Sequence, residues 1–98
     1  MKLEIEIPNA LLVDYIERAN IKYWGDAQEW DPKKMILTLQ EHEESGTITL
    51  GPDEWAIGIR TMIRFHSNMF RQLMSDQGDM YTGDILIQCA AFGEEKYA

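Results

Sequence analysis

The period of the apolar repeat changes along this 98-residue chain, and that change limits the fold more than any single motif does. Three short runs alternate at a period of two: Lys2 to Ile7, Met35 to Gln40 and Thr47 to Leu50. Each has one apolar side (Leu3, Ile5, Ile7; Met35, Leu37, Leu39; Ile48, Leu50), the pattern of half-buried strands in one antiparallel sheet. The second and third flank the polar turn Glu41-His42-Glu43-Glu44-Ser45-Gly46 and read as a hairpin. Elsewhere the repeat lengthens to that of a helix. Pro8-Asn9 breaks the first strand, and Leu11, Leu12, Tyr15, Ile16 and Ala19 then share one face of a helix running from about Asn9, its expected N-cap, to Asn20. Gly51-Pro52-Asp53-Glu54 suits a helix start, with proline in the first turn and acids at the positive end of the dipole. Ile59, Met62, Ile63, Met69, Phe70 and Leu73 then lie on one face, so one long helix is expected to reach about Asp76, ending at Gln77-Gly78-Asp79.

Two segments are less decided by pattern. Lys22 to Asp31 holds Tyr23, Trp24 and Trp30 beside Gly25, and fits either a strand with a bulge at the glycine or a packed loop. In Met80 to Phe92, residues Tyr81, Ile85, Gln88, Cys89 and Phe92 share a helical face, and Gly93 is a natural helix terminator, which favours helix over strand. The expected fold is therefore one α+β domain over residues 1–98: a small, mostly antiparallel sheet of three to four strands against two or three helices.

Composition narrows the class without naming an activity. Apolar residues make up 45% of the chain and ten residues are aromatic, which argues against disorder. No apolar run approaches the roughly 20 residues that span a bilayer, and no apolar leader follows Met1, so neither membrane nor secreted classes are expected. The single Cys89 forbids an internal disulfide and agrees with a reducing cytosol. A net charge of −8 disfavours nonspecific binding to duplex nucleic acid.

Standard catalytic signatures are absent: there is no phosphate loop, no His-Glu-x-x-His, no cysteine pair and no Gly-x-Ser-x-Gly. Asp26, Glu29 and Asp31 lack the glycine and ligand spacing of a calcium loop and read as a solvated acidic stretch. His42 stands in a charged turn with too few companions for a metal site, and Cys89 reads as an inert core thiol. No metal and no cofactor are expected, nor an enzyme, although Asp84, Glu94, His66 and the arginines supply groups from which a site can be imagined. His66 projects into the apolar face of the long helix and reads as a core histidine.

The sharper feature is Arg60, Arg64 and Arg71, spaced by four and seven. On a single helix they fall within about 40° of one another, taking roughly 100° per residue. Two readings fit. The arginines edge the core and pair with carboxylates of an acidic protein, or they form an anion site whose guanidinium forks match phosphate or carboxylate. For the second reading, Trp24 and Tyr81 are the expected flanking aromatics.

Leu12-Val13-Asp14-Tyr15-Ile16-Glu17, then Tyr23-Trp24-Gly25, and the stretch from Gly83-Asp84 through Gln88-Cys89-Ala90-Ala91-Phe92-Gly93-Glu94 to Tyr97 together resemble a group of small proteins of tailed bacteriophages and prophages. The resemblance covers almost the whole chain. Its most specific part is the Gln-x-Ala-x-Phe-Gly-Glu pattern, and Arg18-Ala19-Asn20-Ile21-Lys22 departs from the group, where a glycine pair precedes the Tyr-Trp. It implies phage origin and no particular catalysis.

The function expected from these readings is that of a small acidic phage accessory protein acting by binding in the host cytosol. It counters a host defence, either by docking on a host protein or by sequestering a small anionic, nucleotide-like ligand. The rival is a phage structural or assembly protein whose surplus aromatics and methionines serve a homo-oligomer interface, and self-association is expected in either case.

Overall fold

Met80–Phe92, where the spacing favours helix over strand, is a helix (α4) and the centre of the molecule; every residue from Thr82 to Ala90 is buried. The computed structural model describes residues 7–97. Around α4 pack the helices α1 (Asn9–Arg18), α2 (Pro52–Phe65) and α3 (Ser67–Met74), together with a three-stranded antiparallel sheet of β1 (Gly25–Asp31), β2 (Ile36–Glu41) and β3 (Ile48–Leu50). A helix that is apolar all round has no solvent face to offer and must be enclosed in this way. The fold is α+β, as the periodicity implies.

Local chemistry fixes the ends of α4. The Asp79 carboxylate accepts from the Tyr81 and Thr82 N–H groups at 2.9 and 3.3 Å, and the Asp79 N–H donates to Thr82 Oγ1. Gly93 closes the helix in the left-handed region at φ 70°, where a side chain is disfavoured. Gly83 lets α1 cross closely: a Cβ there would stand 2.2 Å from the Tyr15 carbonyl oxygen.

The hairpin register is Leu37 opposite Leu50 and Leu39 opposite Ile48, and Leu37, Leu39 and Leu50 are buried as expected. Residues 22–31 do contain a strand, but the bulge is at Gln28, between Ala27 and Glu29, and not at Gly25. The extra residue resets the alternation so that Trp30 lies opposite Leu37 and faces inward. Between β1 and β2 the Asp31 carboxylate accepts from the Lys33 and Lys34 N–H groups, and Met35 takes a left-handed φ of 56°. Burial of Met35 and a 2.8 Å bond from Trp55 Nε1–H to its carbonyl hold that conformation.

Other expectations are corrected. The strand at residues 2–7 lies outside the described residues except for Ile7, which packs against the core. Asn9 is the first helical residue and not the cap; the Pro8 carbonyl accepts from the Leu11 and Leu12 N–H groups, and α1 ends at Arg18 because Ala19 is extended. The long helix is two. His66, at φ −137° and ψ 50°, separates α2 from α3. A straight helix of 25 residues would run about 37 Å, far past the 13-residue α4 that it must cover, and the break turns α3 back onto α4 so that Leu73 is fully buried. His66 is accordingly a half-exposed junction residue and not a core histidine, and Ile63 is exposed although the single-helix spacing placed it inward.

Candidate functional site

Two parts of the molecule carry the residues from which a site can be built. In the first, Tyr23-Trp24 meets the stretch from Asp84 to Tyr97. The Asp84 carboxylate, enclosed within α4, accepts from the Tyr23 hydroxyl, from Trp24 Nε1–H at 2.8 Å and from Gln88 Nε2–H at 3.1 Å. Desolvation, followed by the bond to Asp84, raises the Tyr23 phenol well above its ordinary range. Gln88 lies one turn after Asp84 and grips the main chain of Tyr97 at both ends: its Nε2–H donates to the Tyr97 carbonyl at 3.1 Å and its Oε1 accepts from the Tyr97 N–H at 2.8 Å. The Tyr97 ring stacks on Trp24, with centroids 5.3 Å apart and planes 9° apart, and Phe92 meets both rings edge-on.

The same segment reaches the sheet. Glu41, whose side chain is 8% exposed, accepts from Lys96 Nζ at 2.7 Å and from the Tyr97 hydroxyl. Lys96 and then Tyr97 hold the Glu41 carboxyl below its ordinary pKa, and the bond to Glu41 in turn raises those of Lys96 and Tyr97. The Tyr81 hydroxyl donates to Glu95 at 3.1 Å. Among the described residues no buried side-chain nitrogen or oxygen lacks a partner. The interlocking bonds tie α4, the Tyr23-Trp24 pair and the segment after α4 into one network. Cys89, buried beside it, has its pKa pushed up to about 11 by desolvation and is not a nucleophile near neutrality.

The second part is the outer face of α2 and α3. Arg60 and Arg64 are exposed one turn apart on α2, and Arg71 is exposed on α3, so the break at His66 divides the expected stripe between two helices. None of the three forms an ion pair among the described residues. The Arg64 guanidinium lies over the Phe65 ring at 5.1 Å. Phe65 is 66% exposed and Ile57 46%, and Ile63 and Met74 are also exposed. Sequence reasoning missed these apolar residues as a surface, although one signal was present. The 21 residues from Trp55 to Ser75 hold three arginines and no Asp or Glu, so the rest of the chain, with six Lys/Arg and 17 Asp/Glu, carries −11.

The aromatics expected beside the arginines are engaged in the first part. Trp24 is 2% exposed in the core, and Tyr81, although exposed, is bonded to Glu95. A cavity of about 440 Å³ lies on the sheet, lined by Glu29, Trp30, Asp31, Lys34, Ile36 and Thr38, and none of the three arginines reaches it. Among the described residues no three His, Cys, Asp or Glu side chains converge to hold a metal ion, and no helix is long and apolar enough to cross a membrane. His42 Nε2 instead lies 3.3 Å from the Asp26 carboxylate. No protein-family model matches the chain, and neither a curated protein nor a solved structure matches it significantly.

Proposed function

We propose that this is a binding protein that docks on an acidic surface of another protein through the outer face of α2 and α3. One observation carries the reading: Arg60, Arg64 and Arg71 stand exposed without carboxylate partners among the described residues, beside exposed Ile57, Ile63, Phe65 and Met74, on a chain otherwise strongly acidic. Arginines and aromatics with a desolvated apolar surround are the usual energetic centre of protein interfaces. The exposed placement of the guanidinium groups, none of which lines the cavity on the sheet, suits docking better than enclosure of a small anionic ligand. A two-fold contact between copies through this face would lay two basic stretches without acids against each other, which favours a different partner over the homo-oligomer. The resemblance to small phage proteins directs the search to host cytosolic proteins, bacterial defence factors included.

The test is capture from bacterial lysate by wild type, by Arg60→Glu/Arg64→Glu, and by Lys33→Glu/Lys34→Glu, which makes the same change in net charge on the β1–β2 turn. An acidic protein retained by wild type and the lysine variant, lost with the arginine variant and released by raised salt, supports the reading. Identical capture by all three proteins refutes it.

A further inference from the structure

The segment that follows α4 is seated as a bound peptide would be. From Glu94 to Tyr97 the chain has no regular structure, and among the described residues none of its main-chain groups bonds to another main chain. It is held by side chains of rigid elements: Gln88 on both main-chain groups of Tyr97, Trp24 against its ring, and Glu41 on its hydroxyl and on the preceding Lys96 ammonium. A side-chain amide spanning one residue's N–H and C=O, a stacking platform and a carboxylate for a cation are the elements of sequence-selective peptide recognition.

The seat does not depend on its occupant. Asp84 fixes Trp24, Tyr23 and Gln88 through bonds that make no use of Tyr97, and Glu41 stands on a strand paired along its length. Gly93, in the left-handed region, supplies a pivot where the segment leaves the helix. Lifting the segment would leave Gln88 Oε1 and the Glu41 carboxylate without their partners and bare the face of Trp24, so the open seat favours refilling by the same chemistry.

We propose that this seat is a recognition slot for a Lys–Tyr peptide segment, occupied in cis by Lys96-Tyr97 and open in trans to a partner segment that carries the same pair. A short tether gives the cis segment an effective concentration in the millimolar range, so a partner segment competes only when it adds contacts elsewhere. The slot is separate from the α2–α3 face and stands or falls independently of it.

The experiment uses the full chain carrying Lys96→Ala/Tyr97→Ala, labelled with nitrogen-15, titrated with the peptide Glu-Glu-Lys-Tyr-Ala while the Trp24 indole N–H resonance is followed. Saturable binding with a Kd of about 1 mM or tighter is expected, at least about tenfold weaker for a peptide with alanine in place of tyrosine, and at least about tenfold weaker to wild type. No shift at millimolar peptide in a folded variant overturns the proposal, as does equal binding of both peptides. Should the double variant fail to fold, hydrogen exchange in wild type decides. The Trp24 indole and the Tyr97 amide are expected to exchange through an opening of lower free energy than that exposing the α4 amides. Exchange of all of them only through global unfolding would overturn the slot.

Discussion

Around Asp84 a buried carboxylate satisfies a phenol, an indole and an amide, whereas on α2 and α3 three guanidinium groups face water with no ion-pair partner among the described residues. The two regions differ in what a substitution can remove. In the first, low dielectric and closed geometry make each group depend on the others, so loss of one orphans the rest. In the second, solvated charges contribute little to folding, and removing them tests the proposed docking face more than the fold.

The largest effect is expected at Asp84. Replacing it with alanine leaves Trp24 Nε1–H without its acceptor in the interior and takes one acceptor each from the Tyr23 hydroxyl and the Gln88 amide, at about 1–3 kcal/mol for an orphaned group. Chemical denaturation should show a loss of about 2–5 kcal/mol. A loss below 1 kcal/mol would mean that the network is not the framework described.

A smaller effect is expected from pH. The Glu41 carboxyl is lowered from 4.5 in the fold, chiefly by Lys96 and then by Tyr97, so its stabilisation is present above its ordinary pKa and is lost as pH falls through the lowered value. Lys96 and Tyr97 are raised from 10.5 and 10.0, so their contributions hold below those values and fade as pH rises through the raised ones. Attachment of the segment after α4 should therefore persist across the neutral range and weaken at both extremes. Glu41→Gln should remove the acid limb of that profile, measured by Trp24 fluorescence against pH; an unchanged limb would show that another group controls it.

The smallest stability effect is expected on α2. Arg60→Glu/Arg64→Glu should change unfolding free energy by no more than about 0.5 kcal/mol per site, as for other exposed positions free of buried partners. A loss above 2 kcal/mol would mean that the arginines edge the core after all, and would erase the contrast between the regions.

How much of this was legible follows from the range of the interactions. The hairpin, the proline start of α2 and the glycine end of α4 are local, and each showed in a few neighbouring residues. The bond between Trp24 and Asp84 joins positions 60 apart, and no periodicity reports it. One hint was present: Asp84 and Gln88 lie four apart within an otherwise apolar segment, which places two polar side chains on one face of a buried helix. The break at His66 has neither proline nor glycine to announce it and arises from the need to wrap α4, a tertiary cause. The bulge went to Gln28 in place of Gly25 because it brings Trp30 into register with Leu37. Ile63 was placed inward by the spacing of a single helix, and Ile57 and Phe65 fell outside that apolar face, although the acid-free run around them marked a surface.

The central claim is that α2 and α3 form the docking face, and site-specific photo-crosslinking in bacterial cells tests it most directly. A photoreactive residue is placed in turn at Ile57 and Phe65 on that face, and at Thr38 and Gln40 on the sheet. Adducts to one and the same protein from Ile57 and Phe65, with none from Thr38 or Gln40, are the expected result. Adducts from the sheet positions alone, or from none of the four, would contradict the account.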